Sequence, residues 1–160
     1  MNETLKRSIS GAVYIILLLA SILFSTESFF ILFGIFLLLA VVEFCYLIQL
    51  NKFVSLFTAI IIYLFFYETN LKQYNLFSNE VAYFATISAL IMTLLVSIKG
   101  ILFLFDNKEV KTSTLSKYSY LIGYIILPFV FITKIPFGEK GYNPKIIISI
   151  FILIWTNDTF

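Results

Sequence analysis

An all-α, polytopic transmembrane helical bundle of about six helices is the fold class this sequence predicts, and three observations predict it. Of the 160 residues, 61% are apolar and only 12% charged, against roughly 45–50% and about 25% in soluble domains. The mean hydropathy is +1.00. The apolar residues also fall in long unbroken runs, unlike the alternating segments of about ten residues that make barrel strands. In lipid a helix satisfies its backbone hydrogen bonds within one segment, so such runs read as helices. These features exclude an ordinary soluble globule, a disordered tail and a collagen-like or disulfide-stapled chain.

The first run, 11–24, follows Lys6 and Arg7. A signal peptide also begins with basic residues and an apolar core, but no small-residue cleavage site follows here. Ser25, Thr26, Glu27 and Ser28 lead straight into Phe29, so a tight helical hairpin with the first helix retained is expected. The second run, 29–50, holds one charge, Glu43, and ends at a short turn at Asn51 and Lys52. The third run covers 53–67 and is followed by a polar stretch, 68–80, containing Lys72, Asn70, Asn75 and Asn79. The fourth, 81–105, carries Lys99 near its end and leads into the most charged segment, 106–117. In the fifth, 118–132, Pro128 is expected to bend the helix and Gly123 to admit a close neighbour. Pro136, Gly138, Gly141 and Pro144 make 133–145 a turn-rich loop. The sixth run starts at Ile146 and holds ten residues through Trp155, about 15 Å of helix against a core of ~30 Å. The sixth helix is therefore expected to be truncated, and residues 1–160 to be the N-terminal transmembrane portion of a longer protein. No internal repeat or low-complexity tract divides them.

The net charge of +2 is too small to suggest nucleic acid. There is one cysteine, Cys45, and no histidine. A disulfide framework, a cysteine zinc site and histidine-based catalysis are thereby excluded. Chemistry is left to carboxylates, lysines, hydroxyls, amides or a bound cation. With the N-terminus inside, Lys6, Arg7, Lys52, Lys108, Lys111 and Lys117 share the inner face, with Lys99 close to it; Lys72, Lys134, Lys140 and Lys145 lie opposite. Seven against four favours a cytoplasmic N-terminus, in a multi-pass protein of the bacterial inner membrane.

Asp158 is the foremost candidate for function, because an ionisable group in a membrane segment costs several kcal/mol. With Thr156, Asn157 and Thr159 it places a carboxylate, an amide and two hydroxyls within about one helical turn, a set suited to Mg2+ and phosphate oxygens. The competing reading is that these polar residues mark a helix end at the interface. Glu43 is either functional or a carboxylate snorkelling or kept neutral by burial. Lys99 reads as a snorkelling side chain. The lysines of 106–117 either attract anionic lipid or nucleotide or form a positive-inside flank. Cys45 is expected to be a small packing residue, and Tyr63, Phe65, Phe66 and Tyr67 an interfacial aromatic belt.

Four segments resemble, in order, the phosphatidate cytidylyltransferase (CDP-diacylglycerol synthase) family. The ending Ile152-Leu153-Ile154-Trp155-Thr156-Asn157-Asp158-Thr159-Phe160 resembles its central segment, where an apolar run and a Trp lead into Asp, two variable residues and Ala-Tyr. Lys6-Arg7-Ser8-Ile9-Ser10-Gly11 is similar to its basic opening, and Glu43-Phe44-Cys45-Tyr46-Leu47 to the Glu-aromatic-x-x-Leu of its second helix. Gly123-Tyr124-Ile125-Ile126-Leu127-Pro128-Phe129 resembles its Gly…Pro-Phe helix. The Ala-Tyr and the family's Lys-Arg, Lys-Asp and Asp-Arg elements fall beyond residue 160. The resemblance implies a reaction of CTP with phosphatidic acid, giving CDP-diacylglycerol and pyrophosphate with Mg2+. It implies that Asp158 is the catalytic, metal-binding carboxylate, that Asn157 and Thr159 contact substrate, and that Lys99 and Glu43 are weaker substrate-binding candidates. The 160 residues alone are then expected to be inactive. Membrane lipids and a second copy of the chain are further partners this reading admits, and nucleic acid is not. A polyprenol- or phytol-type lipid kinase and a non-enzymatic transporter subunit or assembly partner are the alternatives.

Overall fold

The computed structural model describes residues 3–71, 76–105, 113–138 and 141–159. Its described residues form six helices and one short hairpin. Helix α1 is Glu3–Phe24, α2 Thr26–Ile48, α3 Lys52–Leu71 and α4 Asn79–Phe105. Helix α5, Thr114–Lys134, contains a π-helical segment, Leu121–Ile126. Strands β1, Phe137–Gly138, and β2, Gly141–Tyr142, pair antiparallel ahead of α6, Pro144–Thr159. Within α1 to α5, stretches of 19 to 25 residues are long and apolar enough to cross a membrane, reaching about 28–38 Å at 1.5 Å per residue. The chain is thus an all-α membrane protein of multi-pass type. Helix α6 has 16 residues, longer than its apolar run because Pro144, Lys145 and the polar residues 156–159 are also helical.

The residues divide into two compact units, 1–33 with 133–160, and 34–132. In the first, one residue, Ser25, joins α1 to α2. The Ser25 N–H donates to Ser28 Oγ and the Ser28 N–H to Ser25 Oγ, both at 3.1 Å. This is a capping box with serine where glutamate is usual, and it satisfies two amides at the helix start. The Ser28 hydroxyl also lies 2.6 Å from the Ser21 carbonyl. The Tyr142 hydroxyl donates to the Ile22 carbonyl at 2.8 Å. The last turn of α1 is therefore capped by side chains, as free carbonyls in a low-polarity setting require. Burial pushes the Tyr142 phenol up to about 12, so its proton stays available for this bond at neutral pH. The fully buried Phe29 ring lies 4.7 Å from Phe33 and 5.8 Å from Tyr142, and Phe137 lies 5.5 Å from Tyr142. This aromatic cluster seats the hairpin. Gly141 adopts φ +89° at the turn, a conformation glycine takes without a Cβ penalty. Asn143 then caps α6, its Oδ1 accepting from the Lys145 N–H at 3.1 Å with Pro144 at the first helical position.

In the second unit the buried residues fall in helical rows: Leu37, Val41 and Cys45 on α2, and Ser55, Ala59, Tyr63 and Phe66 on α3. Cys45 is buried and unpaired. Tyr63 and Phe66 do not form part of an exposed aromatic belt: both are buried. The Tyr63 ring lies so near Gly34 that a Cβ there would sit 3.2 Å from Cε1. Phe65 keeps the half-exposed position and meets Phe66 edge-on at 5.2 Å. Helix α2 ends with Gln49 at φ +55° and the Leu50 N–H donating to the Cys45 carbonyl at 3.1 Å. Asn51 caps α3, its Oδ1 accepting from the Phe53 and Val54 amides. The Lys117 ammonium donates to the Ile48 carbonyl at 2.7 Å, a charge-assisted cap at a helix C-terminus. That bond puts the start of α5 at the same end of this unit as the α2–α3 turn, where Lys52 lies 4.4 Å over the Tyr46 ring.

Pro128 explains the π segment. It has no N–H to give the carbonyl four residues back, and its ring crowds that carbonyl. The ladder widens ahead of it, with the Leu127 N–H donating to the Ile122 carbonyl, five residues away. On this segment Gly123 meets Val96 of α4, as its residue type led us to expect: a Cβ at 123 would lie 2.6 Å from Val96 Cγ2.

Candidate functional site

Asn157 and Asp158 stand on the last turn of α6, both exposed. Helical geometry sets the Asp158 carboxylate one turn beyond Trp155, whose ring stacks on Phe151 at 5.9 Å. Thr156 is engaged locally, donating to the Leu153 carbonyl at 3.0 Å. The Thr159 side chain lies outside the described residues, as do Lys72, Lys108, Glu109, Lys111 and Lys140. Among the described residues no group of three or more His, Cys, Asp or Glu side chains converges on a metal position. Among the described residues, Asp158 would fit Mg2+ as one protein ligand. Mg2+ is commonly held in that way, by one or two carboxylates with waters and substrate phosphates completing the octahedron.

Glu43 is exposed on α2, on the same helical face as the exposed Leu39, Tyr46 and Leu47. It has no hydrogen-bond or ion-pair partner among the described residues. Lys99 is exposed on α4 and belongs, like Glu43, to the second unit, but among the described residues no hydrogen bond or ion pair joins the two. Asn157 and Asp158 are thus neighbours by sequence, while Glu43 and Lys99 stand separately.

Lys99 does border a built feature. A groove of about 420 Å3 runs along the α4–α5 side of this unit, lined by Ser88, Met92, Leu95, Val96, Lys99 and Ser119 among others. A second cavity of about 360 Å3 is lined by Val96, Ser97, Gly100, Ile101, Tyr120 and Tyr124. Val96, the residue pressed against Gly123, borders both. The π segment and the glycine therefore shape the space on either side of this helix crossing.

Sequence reasoning missed one polar cluster. Glu68 is 6% exposed and Thr69 is also buried, on the last turns of α3. The Thr69 hydroxyl donates to the Phe66 carbonyl at 2.9 Å, and a Glu68 oxygen accepts the Leu76 amide at 3.5 Å. The Asn70 amide nitrogen and the Ser55 hydroxyl are buried without a hydrogen-bond partner among the described residues. Ser55, Ala59, Tyr63, Phe66 and Asn70 follow one spacing of four, four, three and four residues. Extending the apolar row of α3 in both directions would have pointed to both polar ends.

No family model, curated protein or solved structure matches this chain.

Proposed function

We propose that the chain is part of a membrane-embedded phosphatidate cytidylyltransferase, with its N-terminus on the cytoplasmic side of a bacterial inner membrane. One observation carries this reading. The four segments that resemble the family fall in order on four separate helices: 6–11 on α1, 43–47 on α2, 123–129 on α5 and 152–158 on α6. The distribution of basic residues supports the orientation, and a lipid substrate accounts for an enzyme built of membrane helices.

On this reading Asp158 would hold Mg2+ and Asn157 would orient the triphosphate; the bound metal would supply charge neutralisation for the polyphosphate. An oxygen of the phosphatidic acid phosphate attacks the α-phosphorus of CTP, the bond to the bridging oxygen breaks, and pyrophosphate leaves. No proton has to be abstracted from the attacking phosphate, so the absence of histidine from the chain is compatible with the chemistry. Lys99 and Glu43 remain weaker substrate-binding candidates.

The test is the fate of each phosphorus. The intact protein in membranes is given phosphatidic acid and CTP labelled at either the α or the γ position. Label from the α position is expected in the lipid and label from γ in pyrophosphate, with both lost on chelation of Mg2+. Label from γ in a lipid alcohol would point instead to a kinase. No transfer from either position would favour a non-enzymatic subunit.

A further inference from the structure

We propose that the groove along α4 and α5 holds one acyl chain of a resident anionic phospholipid, with the lipid phosphate on the Lys99 ammonium. The observation is a cation at one end of an apolar trough. Lys99 is exposed on a membrane-spanning helix and has no hydrogen-bond or ion-pair partner among the described residues. It lines the groove with Ser119, while Met92 and Leu95 make the apolar wall and Ser88 lies toward the other end. All belong to the same compact unit.

Depth decides the occupant. The α4 span, Asn79–Phe103, has its midpoint at residue 91. Lys99 is eight residues beyond, about 12 Å at 1.5 Å per residue, just inside the edge of a hydrocarbon core whose half-thickness is roughly 15 Å. Its four-carbon stem carries the ammonium outward to the phosphate level. Ser119, five residues into α5 from Thr114, lies about 7.5 Å from that helix start, and Lys99 about 9 Å from the α4 end at Phe105. From Lys99 to Ser88 is eleven residues, about 16 Å, so the trough runs from headgroup depth to just past the midplane. That is the length of a single leaflet. A soluble anion matches the lysine but not the trough; a zwitterionic lipid matches the trough but gains less from the lysine. An anionic phospholipid matches both, and one basic residue near the surface is worth about a fivefold preference for it. This inference does not rest on the cytidylyltransferase reading; the lipid is a bound companion of the helix pair, not a reactant, and where the proposal holds, Lys99 leaves the set of substrate-binding candidates.

The test uses the chain in phosphatidylcholine vesicles with its single tryptophan removed as Trp155→Phe and a reporter placed in the groove as Leu95→Trp. Chain-brominated phosphatidylglycerol or phosphatidylcholine is then added at equal mole fraction, and fluorescence quenching is read. About fivefold stronger association of the brominated phosphatidylglycerol is expected. The preference should survive Lys99→Arg and vanish in Lys99→Gln. A reporter at the exposed Ile61 of α3 should show no preference. Equal quenching by the two lipids with Lys99 present, or a preference that persists in Lys99→Gln, would overturn the proposal. The arginine variant shows that any loss in Lys99→Gln comes from the charge and not from misfolding.

Discussion

Gly123→Ala is expected to loosen the α4–α5 pair by about 1–3 kcal/mol, the usual range for an added methyl with no room. The new Cβ would fall 2.6 Å from Val96 Cγ2, 2.8 Å from its Cβ and 3.2 Å from its Cγ1. Valine cannot swing aside, because its branched Cβ leaves one strongly preferred χ1 rotamer in a helix. The backbones must separate instead. In lipid that loss is serious: apolar surface gains nothing by leaving lipid tails for a neighbour, so close van der Waals packing carries much of the association. Alanine's better helix propensity, worth up to about 1 kcal/mol, offsets part of the cost. Reversible unfolding in mixed micelles measures the balance. Val96→Ala removes two of the three close atoms, so Gly123→Ala should cost less in that background, with a coupling of at least about 0.5 kcal/mol. Gly100→Ala is the control: a Cβ there meets nothing within 4 Å, and the change should be neutral or mildly stabilising. Additive effects at 96 and 123 would contradict the close approach.

The second large effect concerns the proposed chemistry. In the intact protein, Asp158→Asn is expected to lower cytidylyl transfer by roughly 10²-fold or more, the scale on which removing one electrostatic stabiliser of a transition state acts. The substitution keeps the shape and removes the charge. The side chain is exposed at the end of α6, so insertion and helix content should not change, and an anti-tag blot of the membrane fraction with circular dichroism checks both. Unchanged turnover in a properly inserted protein would remove Asp158 from the site. The mutant should also need more Mg2+ for half-maximal rate, which a purely structural role would not produce.

The five spans were legible because span length is a property of composition: an apolar run long enough to cross is visible without knowing its neighbours. Gly123 was legible for the same reason, since only glycine admits so close an approach. The inward faces were not legible. Helix α2 is apolar almost all round, so no polar face marks the side that packs, and the aromatic run 63–67 on α3 has the composition of an interfacial belt although Tyr63 and Phe66 are buried. The caps that Lys117 gives to Ile48 and Tyr142 to Ile22 join residues 69 and 120 positions apart, beyond any local pattern. The π register needed Pro128 to be read together with the turn before it. Of the candidate site, Asp158 and Asn157 stood out as polar residues closing an apolar run. Glu68 and Asn70 did not, because a stretch of polar composition reads as a connection even where its first residues complete a helix.

A direct measurement of the five crossings is side-specific labelling of single cysteines. The chain has one native cysteine, so Cys45→Ala clears the background. Cysteines are then placed one at a time at Ser25, Asn51, Ser78, Ser113 and Asn143, in the connections between consecutive helices, and labelled with an impermeant maleimide in sealed vesicles of uniform orientation. Five crossings predict two groups: Asn51 and Ser113 labelled from one side, Ser25, Ser78 and Asn143 from the other. Any adjacent pair of positions labelled from the same side would contradict the five crossings.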